Sequence, residues 1–219
     1  MRNAFLETLT PAEAEDLRSV GHSRSYGPNV ALFHQGDEAG PLVVLLTGRA
    51  KVVSLSSAGH EVIAAVRGPG DLLGEISAID GEPRSATVTT LEPVEALLVP
   101  GSAFAAFLER QPRVALVLLR MMAARLRYAD ASQAGFATHD VLGRVAFRLV
   151  ELCERFGTTA EGGIEIELPL SQEELASWTG ASREAVSKAL HLLRLLKIVE
   201  TGRRRIVVRD LEALRARAS

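Results

Sequence analysis

The stretch GEISAIDGEPRSA, residues 74–86, combines the residue types of a surface turn with two charged side chains. Its glycines, its proline and its short side chains favour a turn. They bracket Glu75, and the stretch ends in Arg84, Ser85 and Ala86, directly before the alternating run ATVTTL, which predicts a strand. A carboxylate and a guanidinium brought together in one turn indicate either a plain surface ion pair or a binding site.

On both sides of this turn, residues 22–99 have the pattern of a β-domain. Runs such as LVVLLTG and AKVVSL are separated by turn signals such as GDEAG and GPGD. Six or more such strands, at a spacing of roughly ten residues, predict a β-sandwich or a β-barrel. Ahead of them, Thr10, Pro11 and Glu13 form a predicted capping box, so a helix is expected at residues 11–20.

The composition limits the class of protein. The chain has 219 residues, 47% hydrophobic and 24% charged, which is typical of one large globular domain or two smaller ones. No apolar run is long enough to span a membrane, and the N-terminus lacks the apolar core of a signal peptide. We therefore expect a cytoplasmic protein without a membrane partner. Cys153 is the only cysteine, which excludes an internal disulfide and a multi-cysteine metal cluster.

Charge is distributed unevenly along the chain. Residues 1–110 carry 8 basic and 14 acidic side chains, a net charge of −6. From residue 175 to the end there are 10 basic and 4 acidic side chains, a net charge of +6. A basic end on an acidic body favours a polyanionic partner, although a solvated helical face gives the same excess.

Residues 112–135 predict one long helix, because no glycine interrupts them before Gly135. Apolar and small side chains recur in it at spacings of three and four, which is typical of a heptad seam. We predict a homodimer interface there, with packing on the chain's own β-domain as the alternative. The predicted interface consists of Val114, Val117, Met121, Ala124, Tyr128 and Ala131.

The C-terminal part predicts a winged helix-turn-helix. Ser171 and Glu174 form a second capping box for a helix at 172–178, a break follows near Gly180, and Ser182 begins a helix that ends near residue 196. The run KIVETGRRRIVV then predicts a two-stranded wing. The alternative is an ordinary helical hairpin with surface charges. Leu175 and Trp178 are expected in its core.

The second helix of such a motif enters the DNA major groove with its N-terminal residues at the base edges. Arginine can bind guanine with two parallel donors, and glutamate can accept from cytosine. Arginines at the wing tip suit phosphate contacts. The predicted DNA contacts are Ser171, Ser182, Arg183, Glu184, Ser187, Lys188, Arg203 and Arg204.

From LFHQGDEAG to the wing, the sequence resembles the cyclic AMP receptor protein/FNR (Crp/Fnr) family of transcription regulators. The resemblance implies an α+β fold with three parts. These are a double-stranded β-helix (jelly roll) at 1–110 that binds a cyclic nucleotide, a dimerisation helix at 111–137, and a winged helix-turn-helix at 138–219. It also implies RNA polymerase as a partner, beside double-stranded DNA and a second copy of the chain.

In that family the stretch at 74–86 is a phosphate-binding cassette. By resemblance, Glu75 holds the ribose 2′-hydroxyl and Arg84 pairs with the cyclic phosphate. The chemistry agrees, because a buried phosphodiester requires a cation and arginine supplies charge with two parallel donors. The residues expected to bind the nucleotide are Gly74, Glu75, Ile76, Arg84, Ser85, Ala86, Ala129 and Asp130.

Two positions depart from the pattern of members that respond to cyclic AMP. Those members carry threonine followed by serine or asparagine where this chain has Ala129 and Asp130. We expect cyclic AMP or another cyclic purine nucleotide as the effector, with the base preference open; a regulator that needs no effector or uses another ligand is the alternative. Arg183, Glu184 and Lys188 resemble the family's reading set, which implies a palindrome with TGTGA-like half-sites.

Other classes of protein fit less well. A metal-dependent jelly-roll enzyme needs clustered histidines, but His22, His34, His60, His139 and His191 are scattered, so we expect neither an enzyme nor a metal. An iron–sulfur sensor needs several cysteines. A nucleotide sensor that acts through protein partners stays as the alternative of another class.

Overall fold

The computed structural model describes residues 4–55, 61–167, 170–202 and 204–218, with the backbone alone for 133–138. The chain divides into two compact units, Asn3–Leu126 and Arg127–Ser219. The predicted contact Arg203 lies outside the described residues.

The N-terminal unit contains two antiparallel sheets of four strands. The strands are β1 (His22–Tyr26), β2 (Ala31–Phe33), β3 (Leu42–Thr47), β4 (Ala50–Leu55), β5 (Glu61–Arg67), β6 (Leu72–Leu73), β7 (Thr87–Thr90) and β8 (Val94–Val99). One sheet has the order β1-β8-β3-β6 and the other β2-β7-β4-β5. These two sheets form the double-sheet jelly roll that the strand pattern and the resemblance predicted.

Strand β3 shows how the two sides of the first sheet are covered. Leu42 and Val44 belong to one hydrophobic cluster, whereas Val43 and Leu45 belong to another, because alternate residues of a strand face opposite ways. The cluster around Val43 includes side chains from both sheets. The cluster around Leu42 instead contains side chains from the helices of this unit. Burial on both faces explains why LVVLL is an uninterrupted apolar run.

The helices of this unit are a 3-10 turn (Leu6–Thr8), α1 (Pro11–Ser19), α2 (Glu75–Asp80), α3 (Gly101–Arg110) and α4 (Pro112–Thr138). Helix α1 begins where the sequence placed its cap, at Thr10. The Thr10 N–H donates to Glu13 at 2.8 Å and the Glu13 N–H donates to the Thr10 hydroxyl at 3.3 Å, as a capping box requires. The Glu13 carboxylate also pairs with Arg113 at the start of α4.

The predicted dimer interface is wrong for Val114. This residue is fully buried among Phe104, Phe107 and Leu118 in the core of its own unit, so it has no surface left for a second subunit. Val117 and Met121 pack against the same core. A spacing of three and four marks any buried helix face, whether the partner is the same chain or another. Among the described side chains of α4, the large apolar ones that are exposed are Leu116, Leu119 and Leu126.

The second unit is the predicted winged helix-turn-helix with additional elements. It contains α5 (Val141–Phe156), β9 (Thr158–Ala160), β10 (Gly163–Glu167), α6 (Gln172–Thr179), α7 (Arg183–Leu195), β11 (Val199–Gly202), β12 (Arg205–Val208) and α8 (Leu211–Arg217). The strands form one antiparallel sheet in the order β11-β12-β10-β9. Leu175 and Trp178 are buried, as expected.

The Glu13–Arg113 pair predicts a loss of stability in acid. The hydrogen bonds from Arg113 and from the Thr10 backbone lower the pKa of Glu13 from 4.5 to about 2. A carboxyl group with a lowered pKa contributes stability that is complete above its unfolded-state pKa and disappears as the pH falls toward the folded value. Urea unfolding between pH 5 and pH 2 should therefore show a smaller loss of stability for Glu13→Gln than for the wild type.

Glu15→Gln is the matched control, because Glu15 lies on the same helix and has no ion-pair partner among the described residues. Equal acid dependence of the Glu13→Gln variant and the wild type would contradict this role of the pair.

Candidate functional site

Arg84 lies inside the β-domain with its guanidinium held by backbone. The side chain is only 4% exposed. Its Nη1 donates to the carbonyl of Gly74 at 2.8 Å and its Nη2 donates to the carbonyl of Pro41 at 2.7 Å. The centre of the guanidinium lies 4.4 Å from the ring centroid of Phe33, within the range of a cation–π contact. These partners hold a cation in the interior of the domain, and no carboxylate of the described residues pairs with it directly.

Two loops fix this position. The Arg84 N–H donates to the carbonyl of Asp37, and the Gly36 N–H donates to the carbonyl of Arg84, both at 2.8 Å. Gly74 has a left-handed backbone with φ of 73° and caps α2. A Cβ atom at Gly74 would lie within 3.0 Å of the Arg84 guanidinium carbon, so only glycine allows this approach. The glycines of the quoted stretch therefore have a structural reason.

Several donors around Arg84 have no partner. The buried Nε of Arg84 has no hydrogen-bond acceptor among the described residues. The same holds within the described chain for the exposed Ser85 hydroxyl and for the N–H groups of Ser85 and Ala86. Burial lowers the pKa of Arg84, opposed by the negative charges of Asp37 and Glu75. A buried cation with free donors next to it in sequence fits an anionic ligand.

Glu75 is buried as well, and its partner is an arginine that the sequence analysis missed. The carboxylate is 2% exposed, and its Oε1 accepts from Nη1 of Arg125 on α4. Arg125 Nη2 donates to the carbonyl of Leu72 at 2.9 Å. The other carboxylate oxygen, Oε2, has no hydrogen-bond partner among the described residues, which leaves one acceptor for a ligand hydroxyl.

The signal for Arg125 was present in the sequence. Arg125 follows Met121 by four residues, so it lies on the same helix face as a residue of the apolar stripe. A charged side chain on a buried helix face requires a partner. Glu75 is the acid that fills this role.

The remaining predicted ligand residues are placed differently. Ile76 is exposed on α2. Ala129 and Asp130 are exposed on the part of α4 that belongs to the second unit. Within the N-terminal unit, the structure brings Gly74, Glu75 and Arg84 to one site. Binding of the nucleotide by Ile76, Ala129 and Asp130 stays a prediction.

The helix-turn-helix is held by the caps that the sequence predicted. Ser171 and Glu174 exchange hydrogen bonds of 2.8 and 3.1 Å, and Ser182 accepts from the N–H of Ala185 at 3.2 Å. Between the helices, Gly180 has a left-handed φ of 58°. Capping at both helices and a glycine turn give the motif a defined geometry.

Arg144 on α5 supports the turn of this motif. Its Nε donates to the carbonyl of Thr179 at 2.8 Å and its Nη1 donates to the carbonyl of His139 at 2.9 Å. One guanidinium thus joins the end of α6 to the residues that precede α5.

The predicted DNA contacts lie on the outer side of the motif. Val186, Ala189, Leu190 and Leu193 of α7 are buried. The contact residues on or beside this helix are all exposed: Ser182, Arg183, Glu184, Ser187 and Lys188. Hydrogen bonds from its own backbone N–H and from the Ser182 hydroxyl lower the pKa of Glu184.

Arg204 of the wing lies directly before the returning strand β12. Arg204 has a left-handed φ of 55°, is exposed, and has no ion-pair partner among the described residues. Arg205 instead donates to Glu165 at 2.9 Å, and Arg209 donates to Glu200 at 2.9 and 2.8 Å. No described side chain therefore compensates the charge of Arg204.

Comparison with known proteins finds two family models that match different parts of the chain. Residues 23–111 match the family described as cyclic nucleotide-binding domain, and residues 143–217 match the Crp-like helix-turn-helix domain. The CRP-like cAMP-activated global transcriptional regulator of Mycobacterium tuberculosis is 33% identical over 187 residues, which cover 85% of this chain and 84% of that protein. The chain belongs to the Crp/Fnr family of transcription regulators.

Other Crp/Fnr proteins agree in sequence and in structure. The cyclic AMP receptor protein of Thermus thermophilus is 31% identical, with 92% of this chain and 90% of that protein covered. The solved structure of FixK2 from Bradyrhizobium japonicum superimposes with a TM-score of 0.81 at 26% identity, with 91% and 98% of the two chains covered.

The expected function class is confirmed at this level. The chain is a Crp-like regulator with a cyclic nucleotide-binding domain and a DNA-binding domain, and it is not an enzyme. Within the described residues, no group of His, Cys, Asp and Glu side chains is arranged to hold a metal ion. Of the helices that the structure describes, none combines the length and apolarity needed to cross a membrane.

Because Glu75 and Arg125 pair inside the domain, replacing one of them should cost much stability, and replacing both should cost less. Arg125→Met leaves a buried carboxylate without its cation and should lower the free energy of unfolding by roughly 3–5 kcal/mol. Adding Glu75→Gln should recover part of that loss, because the buried charge is then removed. Urea unfolding of the two single variants and the double variant measures this coupling.

Arg127→Met is the control, since Arg127 is exposed two residues further along the same helix. Additive losses in the Glu75/Arg125 cycle would show that the two side chains do not interact.

Proposed function

We propose that this regulator binds a cyclic purine nucleotide, with cyclic AMP as the first candidate, in its β-domain, and that occupancy controls DNA binding by a homodimer. The observation that carries the proposal is the buried guanidinium of Arg84, whose Nε has no acceptor among the described residues. The relatives from M. tuberculosis and Salmonella typhimurium that carry the description cAMP-activated support this choice.

Each end of the nucleotide has a matching group. Arg84, the Ser85 hydroxyl and the N–H groups of Ser85 and Ala86 would hold the cyclic phosphate, because they are donors around one cation. Glu75 would accept from the ribose 2′-hydroxyl through Oε2, while the hydrogen bond from Arg125 orients the carboxylate. Gly74 provides the close backbone approach.

The base preference follows from Ala129 and Asp130 in this proposal. A carboxylate accepts hydrogen bonds, so Asp130 suits the exocyclic amine of adenine and also the paired donors of guanine. A regulator that needs no effector, or that takes another ligand, is the alternative within the family. A nucleotide sensor that acts on protein partners is the alternative outside it.

For the homodimer, we propose that the exposed leucines of α4 form the interface. Leu116, Leu119 and Leu126 follow a spacing of three and seven, which places them on one side of the helix. They replace Val114 in the predicted interface, and Ala124 and Ala131 stay in it as predictions. RNA polymerase as a further partner and a cytoplasmic location both stay predictions.

For DNA, we propose that Arg183, Glu184 and Lys188 read base edges in a palindrome with TGTGA-like half-sites. All three are exposed near the N-terminal end of α7, the end that enters the major groove in helix-turn-helix proteins. Ser171, Ser182, Ser187 and Arg204 would contact the phosphates.

Arg84→Gln should abolish nucleotide binding while the domain stays folded. Loss of a charge-assisted pair with a buried phosphate should weaken binding by about 100-fold or more. Titration calorimetry with cyclic AMP and with cyclic GMP measures this, and gel shifts with each nucleotide measure the effect on DNA binding. Arg24→Gln is the control, since Arg24 is exposed on β1.

The wild-type protein should bind at least one of the two nucleotides. Heats at the level of buffer for both, up to millimolar ligand, would remove the sensing part of the proposal.

Arg183→Ala should cost about 1–3 kcal/mol per half-site and relax one guanine position. The measurement is selection of binding sites from random DNA, followed by gel shifts at several salt concentrations. Arg194→Ala, at the opposite end of α7, should keep the base preference of the wild type.

Selected sites without two-fold symmetry or without guanine in the half-site would contradict the proposed recognition. DNA affinity that does not fall with salt would favour the alternative of a protein partner, because phosphate contacts release counterions.

A further inference from the structure

Tyr128 of α4 lies at the centre of a buried polar cluster with α5. Its hydroxyl donates to Oε2 of Glu151 and accepts from Nη1 of Arg148. The same Nη1 donates to Glu151 Oε2 at 3.1 Å, which closes a triangle of three side chains. The Tyr128 ring stacks on Phe147, with centroids 6.1 Å apart and planes inclined by 28°.

Arg148 extends this cluster to the helix-turn-helix. It is 4% exposed, and the centre of its guanidinium lies 4.9 Å from the ring centroid of Trp178, a fully buried residue of α6. The Trp178 Nε1 has no acceptor in the part of the chain that the structure describes. The orientation of the indole therefore depends on packing and on Arg148. The contacts run without a gap from α4 through α5 to α6.

The cluster favours one arrangement over others. A buried guanidinium is costly unless it is paired, and here Glu151, Tyr128 and the aromatic faces all compensate it. Burial and the neighbouring carboxylate of Glu151 raise the pKa of Tyr128, so the hydroxyl keeps its proton and its role as donor to Glu151 is fixed. Displacing one member leaves the others without partners, which makes the geometry of the whole specific.

We propose that the Tyr128 cluster, defined as Tyr128, Arg148, Glu151 and Trp178, sets the direction in which the end of α4 presents the helix-turn-helix. Tyr128 is thus a positioning residue for DNA recognition. None of the four side chains is a predicted DNA contact, and the sequence had placed Tyr128 in the dimer interface. The inference holds for any operator sequence and any effector.

The chain offers a sensitive and well-controlled test. Tyr128→Phe removes the hydroxyl and keeps the ring, and Tyr26→Phe is the same change at the only other tyrosine. Trp178 is the single tryptophan of the chain, so its fluorescence reports on the cluster directly. DNA affinity is measured with the full chain on sites that the wild type selects from random DNA.

We expect Tyr128→Phe to change the Trp178 emission and to weaken DNA binding about three- to tenfold. The slope of affinity against salt should stay that of the wild type, because no phosphate contact is lost. Tyr26→Phe should alter neither quantity. Glu151→Gln, which keeps an acceptor for the Tyr128 hydroxyl but removes the charge, should give an intermediate loss of affinity, and it decides the matter if Tyr128→Phe does not fold.

DNA affinity of Tyr128→Phe within twofold of the wild type, with or without a change in emission, would overturn the inference. A reduced salt slope would also overturn it, since Tyr128 would then act as a DNA contact.

Discussion

A cation enclosed by backbone carbonyls is the constraint around which the β-domain is arranged. Water solvates a guanidinium well, so its burial at Arg84 requires the carbonyls of Gly74 and Pro41 and the ring of Phe33 to meet at one point. That meeting fixes the turn at 74–86 against the loop at 34–41. The glycine at 74 follows from the same demand, because a side chain there would occupy the space of the guanidinium. In this region the same contacts of Arg84 therefore determine both the local fold and the placement of the cation for a ligand.

Much of the fold could be predicted because its signals are local. A capping box joins residues three apart, and both predicted boxes, at Thr10 and at Ser171, are present. Short apolar or alternating runs bounded by turn residues likewise predicted most strands of the jelly roll. Strand β1 was missed because HSRSY is polar and gains its place only by pairing with β8. Edge strands of this kind carry little signal in their own composition.

Only part of the candidate ligand site could be predicted from the sequence. Arg84 and Glu75 lie in one short stretch of sequence, whereas Arg125 lies fifty residues beyond Glu75 and is brought to it by tertiary structure. The predicted dimer interface was wrong at Val114 for a related reason. A periodic apolar face indicates that a helix is buried. Whether it packs on its own domain or on a second chain depends on surfaces that are distant in sequence. Tyr128 fits that periodicity, although its hydroxyl serves a polar cluster.

Helix α4 has mechanical properties that follow from its composition. Between Pro112 and Gly135 it contains neither glycine nor proline, the residues at which helices usually kink. A helix of this composition is stiff and resists bending along that length. Arg125 and Tyr128 are three residues apart in this helix, so they occupy neighbouring positions on its surface. The first residue after Pro112 at which a bend is expected is Gly135, one turn before the helix ends at Thr138.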